Sequence, residues 1–427
     1  MDKLNISDIR NCYGCGVCAK ACPVNIIDLH LNREGFYEPF ITDNDKCIHC
    51  GLCRDVCAYI KTKPAQKNAP LASYAAKSKD KIVLQKCSSG GAGFEIAKYL
   101  LGKGYKTVGV RYNVEKNRAE HFVASTLEEL TQTIGSKYIQ SYPVEGWKGI
   151  DRKGKYLITG SPCQIDSFRY YMKKMRLPED HFILLDFFCH GVPSMLVWNK
   201  YCEEAEKTVG NITYASWRNK KAYGWHDSWI IDIDGDKHSM KANGHKNNSK
   251  SIAERGAFIQ SRYSQGDKFF RLFLGDQCLG KQCYEHCKYK YDQSSADIRI
   301  CDLWGKTYQE NEEGVSGAVA FSQKGANILK EIDCHLTEHP FDVVAEGQMR
   351  TCPPMLPLRR KLIDCLYEDT ATIDDACRLQ DHYWRRQRDL NIIRHPVRAT
   401  VRLIKKIIKH TFPGPYNVFR YNRTMAK

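Results

Sequence analysis

Hydrophobic and polar positions along most of the chain alternate in a way that predicts helices and buried strands in turn. The segment "CSSGGAGFEIAKYLLGKGYKTVGVRYN" predicts a Gly/Ser turn, an apolar helix through Leu101 and a short buried strand at 108–110. "GKYLITGSPCQIDSFRYYMKKM" predicts a strand at 156–159, a turn and a helix, and "HFILLDFFCHGVPS" predicts a further buried strand. This alternation favours an α/β core with a largely parallel sheet.

The pattern changes from about residue 210. "SWIIDIDGDKHSMK" alternates with a period of two around an Asp-Gly pair, which predicts a β-hairpin, and more strand-like sequence follows it. We therefore expect a mixed sheet appended to the first core.

The N-terminal region carries cysteines instead of a periodic apolar pattern. "NCYGCGVCAKACP" and "CIHCGLCRDVC" have the same Cys-x2-Cys-x2-Cys-x3-Cys spacing, which is that of bacterial ferredoxins. By the rule for that spacing, one 4Fe-4S cluster is held by Cys12, Cys15, Cys18 and Cys57. The second is held by Cys22, Cys47, Cys50 and Cys53. The alternative is structural zinc, although zinc sites usually show two separated Cys-x2-Cys pairs.

Composition limits the class of protein. The chain has 427 residues, 42% hydrophobic and 27% charged, which is typical of a globular protein with two or three domains. We find no apolar run near 18 residues and no N-terminal secretory pattern, so we expect a cytoplasmic protein. In a reducing compartment, 20 cysteines indicate metal or redox chemistry rather than disulfides.

Seven motifs in order along residues 8 to about 360 resemble the beta subunit of coenzyme F420 hydrogenase/dehydrogenase. After the cysteine-rich head they are "SSGG", "GSKYIQS", "GSPCQ", "FCHGVPS", "WRNKKAYGW" and "SADIRICDLWG". The resemblance implies an iron–sulfur flavoprotein oxidoreductase in which FAD exchanges electrons with the clusters and hydride with an organic partner. The family includes bacterial members encoded among polysaccharide genes, so a sugar or polysaccharide-biosynthesis intermediate and a deazaflavin coenzyme are the candidate substrates. The alternative is a non-enzymatic electron-transfer subunit that feeds a partner enzyme.

With this resemblance, the motifs supply candidate site residues. The candidate cofactor-binding residues are Ser88, Ser89, Gly90, Gly91, Ser136, Lys137, Cys163, Gln164 and Asp302. Small side chains at the start of a helix let a phosphate or a flavin reach backbone amides, although an ordinary glycine-rich turn explains "SSGG" as well. For Lys137 the alternative is a solvated surface lysine, and for Asp297 and Asp302 it is a buried carboxylate that caps a turn.

Two cysteines follow predicted strands, at the sheet edge where α/β proteins assemble their sites. These are Cys163 and Cys189, and the next residue, His190, could donate a proton. Cys189 and His190 are therefore the catalytic candidates, with buried core cysteines as the alternative.

A third group of cysteines lies in "CLGKQCYEHC". We expect Cys278, Cys283 and Cys287 to hold a third 4Fe-4S cluster, with Cys163 or Cys189 as a further ligand. Zinc held by Cys283, His286 and Cys287, or free thiols, are the alternatives.

The C-terminal region carries most of the net charge of +16. "HPVRATVRLIKKIIKH" has aliphatic residues at helical spacing and basic residues between them, which predicts an amphipathic basic helix. Such a helix can lie on an anionic membrane, dock on a partner protein or cover the core. Because the charge is local and has no reading motif beside it, we expect no nucleic-acid partner.

Together these patterns predict an α+β multidomain protein. The expected parts are a ferredoxin domain (1–62), a linker (63–72), an α/β flavin-binding part (73–205), a mixed α/β catalytic part (206–345) and a helical basic tail (346–427). The expected partners are a redox protein or electron donor, a small or lipid-linked substrate, and the inner membrane surface through the tail.

Overall fold

The computed structural model describes residues 5–66, 68–237 and 257–394. The described strands are β1 (Ile27–Leu31), β2 (Tyr37–Ile41), β3 (Ala72–Ser78), β4 (Tyr105–Asn113), β5 (Arg118–Ala124), β6 (Ser141–Tyr142), β7 (Lys155–Thr159), β8 (Phe182–Phe187), β9 (Ile212–Arg218), β10 (Trp229–Gly235), β11 (Phe258–Arg262), β12 (Ile298–Asp302), β13 (Ser316–Ala320) and β14 (Cys334–Glu338). The described α-helices are α1 (Val17–Ala21), α2 (Leu52–Asp55), α3 (Lys81–Lys86), α4 (Ala92–Gly102), α5 (Leu127–Thr131), α6 (Val144–Lys148), α7 (Pro162–Met175), α8 (Met195–Val209), α9 (Lys268–Leu274), α10 (Lys281–Glu285), α11 (Gln323–Glu331), α12 (Phe341–Val344), α13 (Leu358–Tyr367) and α14 (Ile373–Arg394).

The ferredoxin region consists of two short helices, α1 and α2, and the antiparallel hairpin β1–β2. Each helix follows a Cys-Gly pair whose glycine, Gly16 or Gly51, has a left-handed backbone and stands at the N-cap. Glycine adopts this conformation without steric cost, so the chain can turn directly from the ligand loop into the helix. The two cysteine runs therefore share the same backbone conformation at the start of the helix as well as the same spacing.

The main sheet has nine strands in the order β14-β3-β13-β12-β8-β7-β4-β5-β6. Its centre, β12-β8-β7-β4, is parallel, as the alternating pattern predicts. The flanking pairs β4–β5, β12–β13, β13–β3 and β3–β14 are antiparallel, so the sheet as a whole is mixed. Helices α4 and α7 pack their apolar faces against it.

A separate antiparallel sheet has the order β11-β10-β9. The predicted hairpin around the Asp-Gly pair is wrong, because β10 pairs on one side with β9 and on the other with β11, which begins only at Phe258. With both edges of β10 occupied, the residues directly after Gly235 cannot pair with it. Strands β12 to β14, which come later in the chain, belong to the main sheet together with β3 and β8.

The ferredoxin region is fixed to the rest of the molecule at two places. The turn of its hairpin carries Glu34, which forms ion pairs of 2.7 Å with both Lys281 and Arg359. The predicted linker runs alongside α7. The Ala65 N–H donates to Asp166 Oδ1 over 2.7 Å, and the Tyr170 hydroxyl donates to the Lys63 carbonyl over 2.7 Å. These contacts fix the position of the ferredoxin region relative to the sheet.

Helices α8, α9, α13 and α14 enclose the largest apolar core, which also includes residues of β9 and β10. The predicted basic helix at 397–409 lies outside the described residues. Within the described ranges, no helix is both long and apolar enough to span a membrane.

Candidate functional site

The structure brings together the four cysteines of the first ferredoxin site, which is Cys12, Cys15, Cys18 and Cys57. Their side chains line one small cavity. Burial, and then charge on the neighbouring thiols, raises the pKa of Cys18 well above its ordinary value. The Gly14 N–H donates to Cys12 Sγ over 3.4 Å. Converging thiols, an enclosed space and a backbone donor fit a 4Fe-4S cluster, whose iron would offset the cost of ionising the thiols.

The second ferredoxin site consists of Cys22, Cys47, Cys50 and Cys53. Burial, and then charge on Cys50 and Cys22, raises the pKa of Cys53 to about 11, so these three thiols lie near one another. The Asn5 side-chain amide donates to Cys47 Sγ over 3.6 Å. Ile48 is 61% exposed between two of the ligands, so this site lies close to the surface.

Four sequence motifs lie at one edge of the main sheet. Strands β7, β8 and β12 are parallel neighbours, and β3 runs in the same direction because β13 is antiparallel to both β12 and β3. The segments that follow these strands therefore leave the sheet at its carboxyl edge, where α/β proteins bind ligands. They contain residues 88–91, 160–164, 188–190 and 302–305.

A group of four cysteines meets at this edge. We call it the four-thiol group, and it consists of Cys163, Cys189, Cys283 and Cys287. Burial, and then charge on Cys189, Cys15 and Cys283, raises the pKa of Cys163. Burial, and then charge on Cys189 and Cys287, raises the pKa of Cys283 to about 12. These mutual effects are those of thiols in one region. Cys163, Cys287 and Cys15 of the first ferredoxin site also pack against the same small apolar cluster, so the group lies beside that site.

The fold explains how distant cysteines reach one another. Strands β7 and β8 are adjacent and parallel, so the residues after them, including Cys163 and Cys189, are neighbours. An isolated bridge between Pro193 and Leu279 then places α10, which carries Cys283, beside the loop after β8.

Cys278 does not join this group. It is fully buried in the core enclosed by α8, α9, α13 and α14, and the charged or ionisable neighbours of its thiol are Arg359, Cys377 and Cys365. Of the three cysteines in "CLGKQCYEHC", Cys278 thus lies apart from the four-thiol group, whereas Cys283 and Cys287 belong to it together with both Cys163 and Cys189.

The grouping of possible metal ligands can be compared with the alternative of zinc held by Cys283, His286 and Cys287. In residues 5–66, 68–237 and 257–394, no three His, Cys, Asp or Glu side chains are grouped closely enough to hold one metal ion. The His286 ring packs at 5.1 Å against the Tyr59 ring. A cubane of four irons and four sulfides is larger than one ion, so its ligands stand further apart.

Positive charge and a fifth thiol lie beside the four-thiol group. Lys290 Nζ donates to the carbonyls of Cys189 and His190 over 2.7 and 3.0 Å. Burial raises the pKa of Cys189 and of Cys283, and the positive charge of Lys290 opposes part of that rise. The Cys352 thiol donates to the Cys287 carbonyl over 3.6 Å. A side-chain hydrogen bond between the Cys352 and Cys287 thiols lowers the pKa of Cys287 to about 6. Lys290 and Cys352 therefore offset part of the cost of ionising these thiols, and the thiolate is favoured at Cys287.

Arg218 of "WRNKKAYGW" joins the remaining motifs. Its side chain is 1% exposed and lies at 4.9 Å from the Trp229 ring centroid. It donates to one residue from each of three other motifs, at 3.0, 3.0 and 2.8 Å, namely the Ser88 carbonyl, the Tyr138 hydroxyl and Asp302 Oδ2. Asp302 is thus the partner of a buried cation at the edge of the main sheet.

Two lysine amines lie beside the "SSGG" turn. Lys137 Nζ donates to three carbonyls at the end of α5, at 3.0 to 3.2 Å, and burial lowers its pKa to about 7. Lys220 Nζ donates to the carbonyls of Leu84, Ser89 and Glu313, and burial lowers its pKa to about 8. Lys137 is therefore not a solvated surface lysine. Because the acceptors of both amines are neutral carbonyls, this region is electropositive.

The "SSGG" residues are fixed by backbone contacts. Ser88 Oγ accepts from the Ser136 N–H over 2.9 Å, and Ser89 Oγ donates over 2.7 Å to the carbonyl before β13. A Cβ at Gly90 would lie 2.2 Å from a carbonyl of β3, so only glycine fits there. Gly91 is the N-cap of α4 with φ of 87°. Packing on the sheet therefore explains Gly90 without a ligand.

Three other candidates have structural partners. Gln164 forms a capping box with Ser161 at the start of α7. Asp297 is buried, and its Oδ2 accepts from the Leu184 N–H over 2.8 Å. His190 Nε2 lies 2.7 Å from Asp276 Oδ1. The His190 ring contacts Phe273, which in turn contacts the Tyr138 ring, so an aromatic ring stands between His190 and the hydroxyl that binds Arg218.

Sequence reasoning missed Arg218, Lys220, Lys290 and Cys352 as site residues. Arg218 and Lys220 lie inside the motif "WRNKKAYGW", yet a basic residue in a polar stretch gives no sign of burial. Cys352 stands more than 60 positions from Cys287 and has no ligand spacing around it.

Comparison with known proteins identifies the family of this chain. Two models of one family match: "Coenzyme F420 hydrogenase/dehydrogenase, beta subunit N-term" at residues 73–146, and the model for the C-terminal part of the same family at 153–341. A "4Fe-4S dicluster domain" model matches residues 11–60. Together the two beta-subunit models cover more than half of the chain.

Individual relatives match over shorter stretches. An uncharacterized protein of Methanocaldococcus jannaschii is 24% identical over 205 residues, 39% of this chain and 54% of that protein. An iron-sulfur subunit of the CoB–CoM heterodisulfide reductase from the same organism is 41% identical over 62 residues, 12% of this chain and 9% of that protein. The chain thus spans about half of the first relative and a small part of the second.

A solved structure was also found, that of the F420-reducing NiFe hydrogenase complex from Methanosarcina barkeri. The matching chain is 17% identical with a TM-score of 0.42, over 76% of this chain and 95% of that one. The family models and the dicluster domain show that this chain is an iron–sulfur redox protein of the coenzyme F420 hydrogenase/dehydrogenase beta subunit family.

Proposed function

We propose that this protein is a flavin- and iron–sulfur-dependent oxidoreductase. In this proposal electrons enter at the second ferredoxin site, pass through the first ferredoxin site to a third cluster at the four-thiol group, and reach FAD at the carboxyl edge of the main sheet. The observation that carries the proposal is the position of the four-thiol group, which lies at the edge where the sequence motifs converge and beside Cys15 of the first ferredoxin site.

The third cluster is supported by the chemistry of the four-thiol group. Four cysteines from three segments lie in one region, and Lys290 places positive charge beside them. An anionic cluster in a buried position needs such compensation. Cys352 lies next to this group, and we assign the ligand role to the four cysteines whose thiols affect one another's pKa around Cys189 and Cys283.

The residues at the sheet edge fit a flavin dinucleotide. The amines of Lys137 and Lys220 donate to backbone carbonyls and have no carboxylate acceptor among the described residues, and the diphosphate of FAD would supply negative charge beside them. Arg218 holds the "SSGG", "GSKY" and "DLW" segments together and so shapes the cleft. When bound, FAD exchanges single electrons with iron–sulfur clusters and hydride with organic molecules.

The proposed partners are inferred from the exposed surface at the second ferredoxin site and from the basic C-terminal sequence. The exposed Ile48 beside the second ferredoxin site provides an apolar surface where a redox protein can dock close to a cluster. The substrate is an organic molecule, and the two classes to be tested are a deazaflavin coenzyme and a sugar or lipid-linked polysaccharide intermediate. The basic sequence after Arg394 would hold the protein at the cytoplasmic face of an anionic membrane.

Cluster and flavin content test the proposal. Protein purified without oxygen should contain about twelve iron atoms and one flavin per chain, since each 4Fe-4S cluster holds four irons. Serine at any one of Cys163, Cys189, Cys283 or Cys287 should lower the iron content to about eight. Cys278→Ser is the matched control and should keep the full content, because Cys278 lies in the helical core. About eight irons in the parent protein would contradict the third cluster.

Reactivity separates an enzyme from an electron-transfer subunit. The bound flavin should be bleached by a reduced deazaflavin or reoxidised by a candidate sugar substrate in the absence of any partner protein. A protein that carries clusters but no flavin, and reacts only with another redox protein, would establish the electron-transfer role instead.

A further inference from the structure

Helix α7 lies between the four-thiol group and the first ferredoxin site and contacts both. Cys163 of the four-thiol group and Ser167 are four residues apart, so they lie one turn apart on the same face. Ser167 is fully buried, and its Oγ lies 3.2 Å from Sγ of Cys15, a ligand of the first ferredoxin site. The Ser167 side chain is thus hydrogen-bonded to a thiol of the ferredoxin region.

The direction of this hydrogen bond depends on the cluster. A free Cys15 thiol can donate to the Ser167 oxygen, as it does in the structure. A cysteine bound to iron is a thiolate without a proton, so the Ser167 hydroxyl must then become the donor. Because a serine hydroxyl rotates freely, this reversal needs no movement of heavy atoms.

A donor to a ligand sulfur changes the reduction potential of its cluster. Adding an electron increases the negative charge on the cluster sulfurs, so the hydrogen bond stabilises the reduced form more than the oxidised form. The Cys15 backbone is also fixed, since the Trp147 indole N–H donates to its carbonyl over 2.8 Å. By contrast, the side-chain donor at the second ferredoxin site is Asn5, at the longer distance of 3.6 Å from Cys47 Sγ.

We propose that Ser167 is a positioning residue for electron transfer, which raises the reduction potential of the first ferredoxin cluster above that of the second. An electron that enters at the exposed second site then moves toward the main sheet. The direction of flow rests on the proposed function, whereas the effect on the potential does not.

A redox titration of the full-length protein, followed by electron paramagnetic resonance, tests this inference. Ser167→Ala should shift one ferredoxin midpoint to more negative values and leave the other unchanged. We expect the ratio of reduced to oxidised cluster at a fixed potential to fall by up to about tenfold, which is about 59 mV for one electron. Ser167→Cys keeps a weak donor of similar size and should give a smaller shift.

The matched control is Ser295→Ala. Ser295 is fully buried too, but its hydroxyl donates to Asp166 rather than to a cluster ligand. This variant should leave both ferredoxin midpoints unchanged. If it moved them as Ser167→Ala does, the shift would be structural and the inference would be wrong.

Other outcomes are equally decisive. Unchanged midpoints in Ser167→Ala at full iron content would overturn the inference. If Ser167→Ala loses iron, the midpoint shift of Ser167→Cys tests the inference in its place, and unchanged midpoints in that variant would overturn it. If the parent protein lacks flavin or a third cluster, the proposed function fails, yet the ferredoxin midpoints still test Ser167.

Discussion

The ion pairs of Glu34 offer the clearest test of how the ferredoxin region is held. Glu34→Gln keeps the size of the side chain and removes its charge, leaving Arg359, which is 3% exposed, without its carboxylate. Loss of one partner of a buried pair costs about 3–5 kcal/mol. Because the Glu34 side chain is 24% exposed, we expect a smaller loss of about 2–3 kcal/mol in the local opening free energy of this contact.

Hydrogen exchange followed by mass spectrometry measures that opening. The Met195 N–H donates to the Gly35 carbonyl over 2.9 Å, so exchange at residues 192–196 should become about 30- to 160-fold faster. Asp43→Asn is the matched control, because its ion pair with Lys46 lies in the same region but is exposed. Equal protection in the Glu34 variant and the parent protein would refute a role of this pair in docking.

The effect of Glu34 should be constant over mildly acidic and neutral pH. Burial alone would raise its pKa, but hydrogen bonds and charge from Arg359 and Lys281 outweigh burial and lower it. A carboxylate with a lowered folded pKa contributes its stability above its unfolded pKa of about 4.3 and loses it only as pH falls through the folded pKa. A difference between parent and variant that disappears at pH 6 would contradict this assignment.

Three further predictions concern the sheet edge and the tail. Arg218→Lys should lower the flavin content and leave the iron content intact, because lysine cannot donate to Ser88, Tyr138 and Asp302 together; absorbance and iron assays check this. The pKa of Lys137 falls to about 7 on burial, so the flavin-free protein should gain stability as pH rises from about 7 to about 10, where only the unfolded chain binds that proton. Lys137→Met should flatten this rise in thermal melts, whereas an unchanged slope would argue against burial of the amine. Truncation after Arg394 should abolish sedimentation with anionic vesicles at low salt while neutral vesicles show no binding in either form.

Much of the local structure is readable from the sequence because it depends on neighbouring residues. The ferredoxin ligands follow from cysteine spacing, and the strands β4, β7 and β8 follow from short apolar runs. The predicted hairpin failed because its partner strand comes from residues far along the chain, and no local turn pattern reports that pairing.

The sequence by itself therefore determined the family, the doubled ferredoxin spacing and the alternating core. Only the tertiary structure decided which cysteines share a region, since Cys278 is fully buried inside the helical core, whereas Cys283 lies at the margin of that core and its charge acts on Cys163. It also decided that Arg218 and Lys220 are buried and that Ser167 contacts Cys15. The physical reason is that ligand spacing is a short-range property, whereas burial and contacts between segments depend on which strands become neighbours in the sheet.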